Sequence, residues 1–130
     1  MIRLFTLAAA VTALSITGCS GGGMGTVEGQ VLIDGEPQGG YEVNFTSTAD
    51  GSGAMGSAMQ DGRYKLFRGR GETKIPAGEY KVTVAPSPFI DGIPMPQVKL
   101  DETYTDLNKT VLIKQVEPGK NVIDLEVETK

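Results

Sequence analysis

Over most of this chain, apolar and polar side chains alternate one by one. Val27, Val31 and Ile33 share one face while Glu28 and Gln30 take the other. Tyr41, Val43 and Phe45 alternate with Glu42, Asn44 and Thr46; Tyr64 and Leu66 alternate with Arg63 and Lys65. The same period of two returns in Tyr80, Val82 and Val84 and in Ile123, Leu125 and Val127. A period of two puts successive side chains on opposite faces of a strand, so each run predicts a strand with one face on a core and one in water. Gly53–Gln60 reads as a weaker strand, because Gly56, Ser57 and Ala58 offer little to pack, and Lys109–Val116 as a less regular one. Asp34-Gly35, Asp61-Gly62 and Pro118-Gly119 supply tight turns between runs, and Pro76-Ala77-Gly78 introduces the Tyr80 strand. Seven short strands at this spacing predict an all-β fold, a small antiparallel β-sandwich. Tyr80, Val82, Val84, Val43, Phe45, Val31 and Leu125 are the expected inward residues, and no helix is predicted in this part of the chain.

The first nineteen residues break the pattern. Arg3 is followed by an uncharged, mostly apolar run from Leu4 to Leu14, then by Ser15-Ile16-Thr17-Gly18-Cys19. A run this short, without flanking stop-transfer charges, predicts a cleaved signal peptide rather than a membrane span. Ile16-Thr17-Gly18-Cys19 resembles the lipobox of bacterial lipoproteins, with Ile and Thr where Leu and Ala or Ser are commonest. That resemblance implies a signal peptide over residues 1–18 and lipidation of Cys19 by diacylglycerol and an N-acyl (palmitate-type) chain. One acyl chain holds a membrane weakly, at about 0.8 kcal/mol per buried methylene, so stable anchoring takes more than one. Residues 19–25 then form a Gly-rich tether, and residues 26–130 the globular domain.

Composition narrows what the domain can be. Cys19 is the only cysteine, so no internal disulfide can support the fold. Removing residues 1–18 from the 130 leaves 112, enough for one domain with a real core. Arg3 leaves with that segment, so 11 basic side chains face 16 acidic ones, a net charge of −5. An acidic chain without a basic helix or an aromatic-basic stripe argues against a nucleic-acid partner.

Val27-Glu28-Gly29-Gln30-Val31-Leu32-Ile33-Asp34-Gly35-Glu36-Pro37 resembles the opening strand and turn of carboxypeptidase-regulatory-like, or transthyretin-like, domains. Tyr41–Phe45, Asp61-Gly62-Arg63-Tyr64-Lys65-Leu66 and the run from Pro76 to Val84 resemble their later strands. Tyr104-Thr105-Asp106, Val116–Asn121 and Ile123-Asp124-Leu125 look like the end of small lipoproteins of planctomycete-type bacteria. The resemblance covers Thr26 to Val127 and implies a seven-stranded, Greek-key, prealbumin-like sandwich. It implies an appendage, adhesion or binding role more than catalysis.

Catalytic chemistry is hard to assemble from these residues. There is no histidine, the commonest general base, and the one thiol is the expected lipid site. The histidines and the closing Tyr-Arg-Gly-Ser of transthyretin-like hydroxyisourate hydrolases are absent. A hydrolase built on two carboxylates needs acids converging across a cleft, whereas the acids here fall on outward strand positions and turns. Zinc lacks Cys and His ligands. Asp34, Asp50, Asp61 and Asp91 each precede Gly, and turn chemistry accounts for each pair without calcium. Met24, Met55, Met59 and Met95 have no His or Cys partner for a soft metal and fit packing roles.

Two clusters remain. Arg63, Lys65, Arg68 and Arg70, with Lys74 nearby, form either an anion-facing patch or a solvated face balanced by Glu72 and Glu79. The run from Pro86 to Pro96 holds four prolines, which cannot join a ladder, together with apolar Phe89, Ile90, Ile93 and Met95. It either presents an exposed apolar contact or folds back over a sandwich edge. The expectation is an exported, lipid-anchored, non-catalytic module with a structural or binding role at the cell envelope, without cofactor or metal. Its partners are the membrane, through the lipid, and an envelope polysaccharide or protein. Alternatives are a carbohydrate- or peptide-binding module using loop 86–96, and a carboxylate-based hydrolase. Ser20 after the cysteine, where Asp signals inner-membrane retention, favours the outer membrane, on its periplasmic or surface face.

Overall fold

Strand β1 (Met24–Ile33) organises the first of two sheets. The computed structural model describes residues 23–129. The expected signal peptide, Cys19 and the start of the tether lie outside the described residues. One flank of β1 pairs antiparallel with three short strands in turn: β6 (Ile75–Pro76), β5 (Arg63–Lys65) and β2 (Glu36–Pro37). The other flank pairs parallel with β9 (Gly119–Val122) and then β10 (Leu125–Val127). The second sheet is antiparallel throughout, in the order β4 (Gly53–Ser57), β3 (Tyr41–Ser47), β7 (Gly78–Pro86), β8 (Leu112–Val116).

The inner faces meet as the alternation predicts. All seven residues expected to point inward are buried, and Val27, Tyr64, Leu66, Val116 and Val127 join them. The Phe45 ring joins the layers, 6.4 Å from Tyr64 of the first sheet and 6.0 Å from Tyr80 of its own. The Tyr80 hydroxyl donates to the Pro76 carbonyl at 2.6 Å, so a buried ring keeps its polar tip satisfied. At Asp34-Gly35 both residues have positive φ, 52° and 88°, and Ile33 faces Glu36 across a two-residue hairpin.

Several expectations need correction. The fold is all-β and mostly antiparallel, but the β1 pairings with β9 and β10 are parallel. Of the pairs expected as hairpins or tight turns, Pro118-Gly119 is not a hairpin but a connection that carries the chain from β8 in the second sheet to β9 in the first, beside the start of β1. The described residues hold ten β-elements where seven strands were expected, because β1 is long enough to take several short partners on each flank. β1 begins inside the expected tether: Met24 and Gly25 pair with Pro76 and Ile75, and Gly25 is buried. A one-turn helix, α1 (Glu102–Thr105), was not anticipated. Asp101 caps it by accepting from the Thr103 N–H at 3.0 Å, and four residues are too few to show a helical period.

Candidate functional site

The flank where β4 meets β5 is built by a glycine. A Cβ at Gly56 would lie 2.4 Å from the Lys65 carbonyl oxygen, so only glycine lets the two backbones come this close. The apparent weakness of this strand in the sequence is therefore a packing requirement. Just beyond, Met55 and Phe67 exchange backbone hydrogen bonds of 3.0 and 2.8 Å, which ties the sheets together along this edge. Alternation then sends Tyr64 and Leu66 into the core and Arg63, Lys65, Phe67 and Met55 outward.

The Pro-rich loop closes the other side of this flank. The Ser87 N–H donates to the Gly40 carbonyl at 2.9 Å, and the Ser87 hydroxyl accepts from the Phe89 N–H at 3.2 Å. That turn throws the Phe89 ring into solvent, 88% exposed, and turns Ile90 inward to 8%. The result is a groove of about 850 Å³ lined by Met55, Met59, Phe67, Phe89 and Ile90, with Glu28, Glu42, Arg63 and Lys65 supplying charge. Met55 and Met59 are each half exposed, so the groove presents soft, adaptable apolar surface to solvent.

Two of its charged residues are engaged by neighbours outside the groove. Lys120 Nζ lies 3.0 Å from Glu28 Oε1. That hydrogen bond and charge, followed by Lys65 and Arg63, hold the Glu28 carboxyl below its usual range. Arg63 Nε approaches Asp61 Oδ2 at 3.7 Å. Beneath them the Tyr64 hydroxyl donates to the Ile123 carbonyl at 2.5 Å; burial, with the Asp124 charge, pushes its ionisation far above that of a free tyrosine. Among the described residues no three carboxylate, histidine or cysteine side chains gather at one point. The groove can therefore offer apolar contact and hydrogen bonding to charged groups at its margin.

The structure divides both predicted clusters. Of the basic group, Arg63 and Lys65 line the groove, while Arg68, Arg70 and Lys74 belong to a loop at the end where β1 begins. Arg68 is engaged by Glu72 at 3.4 Å. Of the loop residues, Phe89 is fully displayed, but Ile90 is buried rather than exposed. Ile93 is half-buried and borders a separate hollow with Met59, Asp61 and Asp91. Met95 is exposed and lines neither. Pro94 and Pro96 press on Gly40, whose absent Cβ would sit 2.8 Å from Pro96 Cδ. One loop thus both covers the start of β3 and displays one aromatic ring.

Sequence reasoning passed over Met55, Met59 and Phe67 as groove residues. The signal for Phe67 was its place two residues beyond Lys65 on the outward face. For the methionines, nothing in the sequence distinguished groove from core. The chain matches no family model, no curated protein sequence and no solved structure.

Proposed function

We propose that this chain is an exported, lipid-anchored β-sandwich module, without catalytic activity, that serves a structural or binding role at the cell envelope. The observation that carries the proposal is the apolar run from Leu4 that ends in Ile16-Thr17-Gly18-Cys19, five residues before β1 begins at Met24. Anchoring is assigned to lipid on Cys19. The finer fold assignment is a Greek-key, transthyretin-like sandwich. It is supported by the fall of the motif segments onto strands: Arg63-Tyr64-Lys65 is β5, and Gly78–Pro86 is β7. Intact-mass measurement of the membrane-extracted protein tests the anchor. A chain starting at Cys19 with a diacylglycerol and an acyl mass is expected; an unmodified chain, or one starting elsewhere, rules it out.

A second reading is favoured by one feature. Phe89 stands exposed beside a groove of methionine and phenylalanine, the kind of surface that meets a sugar face or a peptide side chain. In that case the module binds an envelope polysaccharide or protein through this flank. Phe89→Ala then weakens retention of the protein on envelope material without lowering its melting temperature.

A further inference from the structure

We propose that the end of the sandwich at which β1 begins is the face laid against an anionic phospholipid surface. The inference rests on the lipid-anchored reading of Cys19. Only five residues lead from Cys19 to Met24, and a chain advances at most about 3.6 Å per residue, so this end lies within about 18 Å of the lipidated cysteine whatever path is taken.

Strand register identifies what shares that end. Met24 pairs with Pro76, Gly25 with Gly119, and the Ala77 N–H donates to the Gly23 carbonyl at 2.9 Å. The segment from Phe67 to Lys74 joins β5 to β6 there, folded back on itself by the Arg68–Glu72 bridge. It carries Arg68, Arg70 and Lys74 against one acid, Glu72. Arg70 and Lys74 are exposed, and neither is in an ion pair among the described residues. Met24 and Phe67 add partly exposed apolar side chains beside them. Asp50, Glu79 and Glu117 also lie toward this end, so the positive charge is concentrated in the 67–74 loop rather than spread over the surface.

The opposite end has no comparable basic loop. The hairpin of Asp34 and Glu36 contains no basic residue. The connection from β7 to β8 holds Asp91, Asp101, Glu102 and Asp106 against two lysines. Anionic headgroups attract basic groups and repel acidic ones within a Debye length of about 8 Å. On so short a tether, that asymmetry selects the 67–74 loop as the lipid-facing element. It also directs the groove: its Phe67 end lies toward the bilayer and its Phe89 end away from it.

The single cysteine makes the test direct, because a lipidated Cys19 leaves an introduced thiol alone to react. Lipidated protein carrying Ala49→Cys, in the loop leading to β4, or Gln97→Cys, at the far end, is labelled with a fluorophore. Each is reconstituted into phosphatidylcholine vesicles with or without phosphatidylglycerol, containing a headgroup nitroxide quencher. Quenching at position 49 well above that at position 97, dependent on phosphatidylglycerol and lost at high salt, is expected. Arg70→Glu with Lys74→Glu lowers surface association by about fivefold per residue, and circular dichroism confirms that the fold is kept. Equal quenching at both positions, or quenching at 49 that ignores salt and charge reversal, overturns the orientation. A mass without lipid on Cys19 overturns the anchor instead, and with it the tether length on which the orientation depends.

Discussion

The hydroxyl of Tyr64 donates to the carbonyl of Ile123 across 59 positions of sequence, joining β5 to the interruption between β9 and β10. The Ile123 N–H still donates to the Glu28 carbonyl of β1 at 2.8 Å, while its own carbonyl, at the break between β9 and β10, accepts from this side chain. Tyr64→Phe keeps the ring tilted against Phe45 and leaves that acceptor without its donor. A loss of about 1–2 kcal/mol is expected from urea denaturation with an unchanged denaturant slope. An unaltered midpoint would show that the bond contributes nothing.

Val82 lies at the centre of the second sheet, fully buried and opposite Phe45 and Leu112. Val82→Asp places an unpaired charge there and is expected to abolish folding. Circular dichroism checks this: a melting transition like that of the unchanged protein would contradict the two-layer core.

Phe89 and Ile90 are neighbours with opposite tasks. Phe89→Ala removes only exposed surface, and its melting temperature is expected within about 1–2 °C of the parent. Ile90→Ala removes a buried side chain and should cost about 1–3 kcal/mol. Equal losses would mean that the loop acts purely as a cover.

Asp34 ties the C-terminal segment to the first hairpin, accepting from both the N–H and the hydroxyl of Thr129. These hydrogen bonds hold its carboxyl below the usual range, as Lys120 does for Glu28 and Ser52 for Asp50. A depressed carboxylate stabilises the fold above its unfolded pKa and ceases to do so as pH falls through the folded value. Stability should therefore decline below about pH 4. At the alkaline limb the buried tyrosines Tyr64 and Tyr80 resist ionisation in the fold, so stability declines above about pH 10. With no histidine between these limits, the denaturation midpoint is expected to be flat from about pH 5.5 to 8.5, and Asp34→Asn should flatten part of the acid decline. A midpoint that moves near pH 6.5 would contradict this.

The strands and the core were legible because a period of two is a local signal that each run carries by itself. Tyr80, Val82 and Val84 announced their burial without reference to any partner. Pairing is a non-local property. Nothing in Leu125-Glu126-Val127 says whether it will run parallel or antiparallel to β1, and only the route through Pro118-Gly119 decides it. The same limit hid the groove. Phe89 stands out in sequence by lying in a stretch that cannot join a ladder, yet its companions Met55 and Phe67 come from another corner of the sequence and meet there only because Gly56 lets two backbones touch. The basic residues form one cluster in sequence, but the chain turns after Phe67 and separates them.

β1 has a consequence for when this chain can fold. It is among the first strands to be made, yet half of its hydrogen-bonding edge is completed by β9 and β10, close to a hundred residues later. Loop closure over such a distance is slow, and no local hairpin supplies what those parallel partners do. The first sheet therefore cannot be finished until β9 and β10 are available. For a protein that crosses a membrane before it folds, as proposed here, this delay is an asset: the topology itself keeps the nascent chain open until the last strands arrive on the far side.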